Sequence, residues 1–182
     1  MTNKKKLVTE MGRIDADAFR AAGKLPLVVV LDNVRSLHNV GSVFRTGDAF
    51  RVERIMLCGI TATPPSAEIH KTALGAEDVV VWQYYESTMD AVDTLRSEGY
   101  RVYSIEQCRG SIPLQSFPTE PGERYAVVLG NEVKGVQQAV VDASEGAIEI
   151  PQFGTKHSLN VSVTAGMVIW EFAKKLGMVS TQ

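Results

Sequence analysis

Short, fully apolar runs recur along the chain and are separated by polar or amphipathic segments. Leu27–Leu31 has the sequence LVVVL, and Tyr125–Leu129 is equally apolar. Unbroken apolar runs of this length are typical of strands that are covered on both faces of a parallel sheet. Similar short runs predict the other strands, at Arg54–Cys58, Val79–Trp82, Arg101–Ile105 and Ala147–Ile150.

Helical patterns lie between the predicted strands. Val40–Phe50 brings Val40, Val43 and Phe44 to one side, as an amphipathic helix does. Another helix is predicted from Ser87 to about Glu98, and shorter ones at Ile69–Leu74 and Val136–Ala143. Strands that alternate with helices predict an α/β fold with a mostly parallel sheet and helices on both of its faces.

The segment Val161–Leu176 is apolar almost all round, which predicts a largely buried helix. Ser158 or Asn160 is expected to cap it, because either side chain can accept a hydrogen bond from a free N–H of the first turn. A polar Ser-Leu-Asn sequence at the mouth of a buried helix is also a place to bind a ligand. The residues alone leave capping and binding both open.

Composition and length agree with one globular domain. The chain has 182 residues, of which 45% are hydrophobic and 22% charged, and no apolar run approaches the roughly 20 residues that span a bilayer. We expect a short extension at residues 1–24 and a single domain at residues 25–182. The N-terminus is basic but lacks an apolar stretch after it, so no signal peptide is predicted.

Charge and cysteine content constrain the function only weakly. Cys58 and Cys108 are far apart and have no metal-ligand pattern around them, so they are expected to be buried thiols of a cytoplasmic protein. The formal net charge is −2. A nucleic-acid-binding protein of this charge must gather its lysines and arginines on one face.

Three segments place polar side chains directly after predicted strands, where ligands bind in sheets of this kind. Asn33–Thr46 carries Arg35, His38, Asn39, Ser42 and Arg45; Leu129–Gly135 carries Glu132 between two glycines; the third is the Ser-Leu-Asn segment. Arg45 fits either a phosphate clamp or an ion-paired surface position. Glu132 fits either an orienting role at a ligand or a favourable place at a helix start.

Several familiar sites are absent from the sequence. It contains no Gly-x-Gly-x-x-Gly after Leu27–Leu31, no P-loop and no Gly-x-Ser-x-Gly elbow. His38, His70 and His157 have no spacing that would bind a metal ion. Dinucleotide enzymes, P-loop NTPases, α/β-hydrolases and zinc enzymes are therefore disfavoured.

Together the three segments resemble the motifs of one family. They have the patterns N-x-G-S-V-F-R-T-x-D-A-F, L-G-N-E-x-x-G and I-P-x-x-G-x-x-x-S-L-N-V-S-V-x-A-G, in that order over Leu27–Phe172. This combination resembles the SpoU/TrmH branch of the SPOUT RNA methyltransferases. The resemblance implies methyl transfer from S-adenosylmethionine to a ribose 2′-hydroxyl of tRNA or rRNA. It also implies a C-terminal deep trefoil knot and a homodimer whose active sites combine residues of both subunits.

The resemblance also assigns residues. The catalytic set consists of positions that match the motifs: Asn39, Arg45, Glu132, Ser158 and Asn160. The cofactor is expected to bind mainly to backbone in the knot loops, at Leu129, Gly130, Ile150, Pro151, Ser158 and Leu159. For RNA, charge predicts a local basic patch of exposed side chains: Arg35, Arg45, Lys71, Lys134 and Lys156.

A chemical argument limits what Arg45 can do. A free guanidinium is essentially never deprotonated. We therefore expect Arg45 to stabilise the developing alkoxide and hold the adjacent phosphate, rather than to act as a base.

Two other functions stay open at this point: a knotted RNA-binding protein without catalysis, and an unrelated small-molecule enzyme. The absence of an accessory domain from the sequence favours tRNA over rRNA as the substrate.

Overall fold

Seven strands form one sheet in the computed structural model, which describes residues 3–179. Their bounds are β1 Leu25–Asp32, β2 Val52–Cys58, β3 Trp82–Tyr85, β4 Tyr100–Ile105, β5 Ile112–Pro113, β6 Arg124–Leu129 and β7 Gly146–Glu149. The order across the sheet is β3-β2-β1-β6-β4-β7-β5, and neighbouring strands are parallel. The predicted α/β class with a mostly parallel sheet is confirmed.

Among the described residues, one α-helix precedes the first strand, and the other α-helices lie between strands or after the last one. Their bounds are α1 Ala16–Ala21, α2 Leu37–Ala49, α3 Ala67–Ala73, α4 Thr88–Ser97, α5 Gln138–Ala143 and α6 Val161–Lys175. None of them combines the length and the apolar character that crossing a bilayer requires.

The hydrophobic core has two layers, one on each face of the sheet. Leu27, Val29 and Leu31 of β1 belong to the layer that contains the apolar residues of α2, α3 and α6. Val28 and Val30 point to the opposite layer, which contains those of α4 and α5. Alternate residues of a strand point to opposite faces. This explains why β1 is apolar at every one of these positions.

Two details of the predicted strands are wrong. The third strand lies at Trp82–Tyr85 instead of Val79–Trp82. Val79 and Val80 follow a short 3₁₀ turn, and Val80 is buried in the core without belonging to a strand. The sequence analysis also missed β5, whose residues Ile112–Pro113 pair with β7.

The C-terminal helix is not buried all round within one chain. Val163, Met167 and Trp170 are 50%, 42% and 44% exposed. Residues at this spacing lie on the same side of a helix. The prediction of a largely buried helix is therefore wrong for one face of α6, which carries an exposed apolar stripe.

The start of α6 distinguishes the two candidate caps. The side chain of Asn160 accepts hydrogen bonds from the backbone N–H groups of Ser162 and Val163, at 2.9 and 3.3 Å. Asn160 is therefore the N-cap, which satisfies two of the free donors of the first turn. Ser158 lies two residues earlier and does not cap the helix.

Candidate active site

A cavity of about 450 Å³ opens at the carboxyl ends of three adjacent strands, β6, β4 and β7. Its lining includes Ile105 at the end of β4, Leu129 at the end of β6, and Ile148 of β7. Ligands of open parallel sheets bind at this end of the strands. The cavity is thus where the fold leads us to expect a binding site.

The loop after β6 shapes one side of this cavity. Asn131 and Gly135 exchange backbone hydrogen bonds of 3.0 and 2.9 Å, which close the loop into a tight turn. A Cβ atom at Gly130 would lie 2.1 Å from backbone atoms of Gly135 and Val136. No side chain fits at Gly130 without displacing the backbone, so glycine at this position allows the close approach of Gly135 and Val136.

Glu132 of this loop joins it to the start of α2. Its carboxylate accepts hydrogen bonds from the backbone N–H groups of Arg35 and Ser36, both at 3.0 Å, and from the Asn39 side-chain amide at 3.1 Å. The second candidate segment is therefore bonded directly to the first.

Asn39 connects this cluster to the third segment. The amide of Asn160 donates to Asn39 Oδ1 at 3.2 Å, and the Ser162 hydroxyl lies 3.3 Å from the same oxygen. Ser162 Oγ also lies 2.7 Å from Asn160 Oδ1. Glu132, Asn39 and Asn160 were predicted to be site residues, and they form one network. Ser162 belongs to it as well, although the sequence analysis did not single it out.

The electrostatics of Glu132 keep this network intact at neutral pH. Burial disfavours its charged form, but the hydrogen bonds from Arg35, Ser36 and Asn39 outweigh burial and lower the pKa of the carboxyl below its ordinary value of 4.5. The stabilisation is fully present above that ordinary value and is lost as the pH falls through the lower pKa of the folded state.

Most of the residues expected to bind the cofactor line the cavity. Leu129, Gly130, Ile150, Ser158 and Leu159 all do so, and Leu159 is 37% exposed. Pro151 is not part of the lining. Gln107 steadies the loop before Ser158, because its side-chain amide donates to the His157 carbonyl at 2.8 Å.

Arg45 is separated from this cavity within its own chain. It lies on an exposed part of α2 and lines a different cleft, next to the N-terminal segment. The other predicted RNA-binding residues lie on several different elements. Lys134 lines the cavity, Arg35 is exposed at the Glu132 cluster, and Lys71 on α3 is paired with Glu68 at 2.6 Å. Lys156 is exposed in the loop before α6.

Two acidic residues at strand ends were missed by the sequence analysis. Asp32 is the last residue of β1, is fully buried, and accepts hydrogen bonds from Thr88, from the side chain of Asn33, and from the backbone and side chain of Gln137. Glu106 follows β4, lines the cavity and accepts from Val136 N at 3.1 Å. The sequence feature that could have identified both residues is their position directly after predicted apolar strands.

The two cysteines differ, contrary to the expectation that both are buried. Cys58 is buried, and burial raises its pKa to about 12. Cys108 is partly exposed and lines the cavity, and its pKa is raised by burial and by the nearby Glu106. Thiolates are the reactive form, so both thiols are less reactive than a free cysteine at neutral pH.

This difference predicts a labelling pattern. Iodoacetamide at mildly alkaline pH should modify Cys108 and leave Cys58 unmodified in the folded protein, because only Cys108 is accessible. Saturating S-adenosylhomocysteine should slow the modification of Cys108 by covering the cavity. Peptide mass spectrometry over time measures both rates. If saturating S-adenosylhomocysteine left the modification rate of Cys108 unchanged, the cavity would be excluded as the binding site of that ligand.

Comparison with known proteins links this geometry to a family. The model of the SpoU rRNA Methylase family matches residues 26–170. The chain is similar to the 23S rRNA (guanosine-2'-O-)-methyltransferase RlmB of Vibrio parahaemolyticus, with 30% identity over 93% of this chain and 68% of that protein. It is also similar to the 23S rRNA (guanosine(2553)-2'-O)-methyltransferase RlmP of Bacillus subtilis, with 29% identity over 79% of this chain and 56% of the relative.

A solved structure agrees with these relatives. The crystal structure of an AdoMet-bound rRNA methyltransferase from Sinorhizobium meliloti has a TM-score of 0.78 to this chain and 26% sequence identity. The similarity covers 89% of this chain and 61% of that one. The chain thus spans between 56% and 68% of the length of these three proteins.

Proposed function

The chain belongs to the SpoU rRNA Methylase family, and we propose that it transfers the methyl group of S-adenosylmethionine to a ribose 2′-hydroxyl of an RNA, either tRNA or rRNA. The observation that supports this proposal is that the three motif segments meet at one place in the fold. The cavity at the strand ends lies directly beside the network of Glu132, Asn39 and Asn160. In this proposal the cavity binds the methyl donor, and the hydrogen-bonded network orients the acceptor. In this proposal residues 25–182 form the catalytic domain and residues 1–24 a short extension.

The cavity suits S-adenosylmethionine in shape and in charge. Ile150 and Leu159 offer apolar walls for an adenine, and the crowding at Gly130 leaves backbone groups as the hydrogen-bonding partners there. Glu106 and Glu149 also line the cavity, and their carboxylates complement a ligand that carries a sulfonium and an ammonium group. When bound, the cofactor supplies a methyl group that is already activated for transfer.

The protein then has to align the hydroxyl oxygen and lower the cost of losing its proton. Asn39, Glu132, Asn160 and Ser158 fix the geometry around the acceptor. Arg45 stabilises the developing alkoxide and holds the adjacent phosphate through its planar donor fork. The proton leaves to water or to that phosphate.

We further propose that the protein is a homodimer with composite active sites. Two observations support this. Arg45 lines a cleft other than the cavity of its own chain, so a second subunit is needed to bring the two together. The apolar stripe of Val163, Met167 and Trp170 on α6 is exposed in the single chain. A symmetric partner that packs on this stripe removes it from water.

The threading of the C-terminal segment also belongs to this proposal. We infer that the segment from β7 to α6 is threaded through the chain as a deep trefoil knot, as in the SPOUT family. The bond from Gln107 to the His157 carbonyl and the network from Glu132 to Asn160 support it, because they hold the final segment against the loops after β4 and β6.

A substitution at Leu159 tests the assigned cofactor site. Leu159→Asp should abolish detectable S-adenosylmethionine binding, because it places a charge against an apolar wall of the cavity. Isothermal titration calorimetry measures the affinity, and circular dichroism checks that the variant is folded. Wild-type affinity in a folded variant would remove Leu159 from the site.

The RNA substrate is identified by nucleoside mass spectrometry. Ribose-methylated nucleosides should be compared in tRNA and in rRNA from cells with and without the gene. The proposal predicts that one 2′-O-methylated nucleoside is lost from one of the two RNA classes when the gene is deleted. Identical modification profiles, together with no methyl transfer by the purified protein, would favour the alternative of an RNA-binding protein without catalysis.

A further inference from the structure

A second cleft, of about 800 Å³, separates the N-terminal segment from the C-terminal half of α2. We propose that this N-terminal cleft holds the single-stranded RNA that flanks the methylated nucleotide, with phosphates on Arg13 and Arg51 and a base against its apolar floor. The inference rests on the proposed function and specifies where the substrate is held. Arg45 lines the same cleft and connects it to the reaction.

The cations of the cleft are free of carboxylate partners within residues 3–179. In that part of the chain, the arginines and lysines that form ion pairs with carboxylates are Arg20, Arg54, Lys71, Arg101, Arg124, Lys174 and Lys175. None of them lines the N-terminal cleft, whereas Lys6, Arg13, Arg45 and Arg51 do. Unpaired cations that converge on one groove are the electrostatic footprint of a phosphate backbone.

The acidic residues of the cleft do not cancel this charge. Asp15 is the N-cap of α1, where its side chain accepts from Ala18 N at 2.8 Å. Lys24 interacts electrostatically with both Arg51 and Asp48. Its pKa is lowered by burial first and then by Arg51, while Asp48 opposes these effects only in part. The cleft is lined by four cationic residues, Lys6, Arg13, Arg45 and Arg51, against two acidic ones, Asp15 and Asp48, so its lining is net positive and favours an anion.

The floor of the cleft is apolar and accessible. Met11, Ile14 and Leu74 are 48%, 50% and 62% exposed and line it together. A groove lined by both apolar side chains and guanidinium groups matches one unstacked nucleotide, whose base is apolar on its faces and whose phosphate is charged. Bases are accessible in this way in single-stranded RNA, whereas in an A-form duplex they are stacked and paired.

In this proposal Arg45 links the N-terminal cleft to the active site. If Arg45 of one subunit holds the phosphate next to the reacting ribose in the cavity of its partner, RNA in the N-terminal cleft leads directly into that active site. The short N-terminal segment then supplies part of the RNA-binding surface, and the low net charge of the protein is no obstacle, because the cations are gathered locally.

Single charge removals test the cleft. Arg13→Gln and Arg51→Gln each remove one cation from it, and Arg96→Gln is the matched control, because Arg96 is exposed on α4, on the opposite face of the sheet. Fluorescence anisotropy with a labelled single-stranded dodecauridylate, without cofactor and over a range of potassium chloride concentrations, measures binding. A 12-base-pair RNA duplex and polyglutamate serve as competitors.

The expected result is weaker binding by Arg13→Gln and by Arg51→Gln, with the slope of log affinity against log salt reduced by about 0.7 for each. Arg96→Gln should match the wild type, and the single strand should compete better than the duplex or polyglutamate. Equal effects of all three substitutions, no effect of the cleft substitutions, or equal competition by duplex or polyglutamate would overturn the inference.

The same proteins separate this inference from the proposed function. Calorimetry with S-adenosylhomocysteine should give wild-type affinity for Arg13→Gln and Arg51→Gln, since neither residue lines the cofactor cavity. Cleft-dependent RNA binding without methyl transfer to any RNA would reject the proposed function alone. Methyl transfer by a wild-type protein whose RNA affinity does not depend on Arg13 or Arg51 would reject the inference alone.

Discussion

Arg45→Ala should lower the rate of methyl transfer by about 10²- to 10³-fold, the typical cost of losing one donor that stabilises a developing oxyanion. Affinity for S-adenosylhomocysteine should stay at the wild-type value, because the proposed contacts of Arg45 are with the acceptor oxygen and the adjacent phosphate and not with the cofactor. Arg45→Lys keeps the charge but loses the donor fork. Near-wild-type activity of Arg45→Lys at neutral pH would contradict the bidentate role.

Mixing two inactive variants tests whether Arg45 acts across the dimer. In a heterodimer of Arg45→Ala and Leu159→Asp, one site has an intact arginine and an intact cavity, and the other carries both defects. At equal mixing half of the dimers are heterodimers, so activity should recover to about a quarter of wild type. No recovery, with subunit exchange verified by native mass spectrometry, would mean that each subunit uses its own Arg45.

Gly130→Ala should weaken cofactor binding by about 100-fold or more, since a change of about 2.7 kcal/mol is a factor of 100 in affinity. The reason is steric. The added Cβ would lie 2.1 Å from backbone atoms of Gly135 and Val136, neither of which can rotate away. The loop that carries Glu132 must then move relative to the strand end. Calorimetry with S-adenosylhomocysteine measures the loss.

Gly154→Ala is the matched control for this substitution. Gly154 lies in the loop before α6, and a Cβ at this position meets no atom within 4 Å. Its variant should bind the cofactor like the wild type. Thermal unfolding of both variants shows whether Gly130→Ala is folded at the assay temperature. A folded Gly130→Ala with wild-type affinity would contradict the assignment of the loop after β6 to the cofactor site.

The sequence predicted the interior of the fold better than its edges. The central strand β1 packs core layers on both faces, so every side chain from Leu27 to Leu31 is apolar and the run is easy to recognise. Strand β3 lies at the sheet edge, and its residues are partly buried or exposed. Hydrophobicity therefore favoured the neighbouring valines, of which Val80 is buried outside any strand.

The site was predictable where its residues belong to recognisable sequence motifs, and not where the role of a residue depends on its tertiary contacts alone. The motif match selected Glu132, Asn39 and Asn160, and the fold brings them within hydrogen-bonding distance. The sequence did not show whether Asn160 or Ser158 caps α6, because both side chains can accept the same hydrogen bonds. Asp32 was missed, since its importance comes from partners such as Gln137, 105 positions away in the chain.

The most direct test of the proposed activity is methyl transfer from S-adenosylmethionine labelled in its methyl group. Purified wild-type protein should be incubated with tRNA and with rRNA, and the RNA then hydrolysed in alkali. A 2′-O-methyl group blocks attack of that oxygen on the neighbouring phosphate, so the label should appear in alkali-resistant dinucleotides with wild-type protein and be nearly absent with Arg45→Ala. Label confined to mononucleotides would mean methylation of bases, and the absence of label from both RNAs would contradict the proposed function.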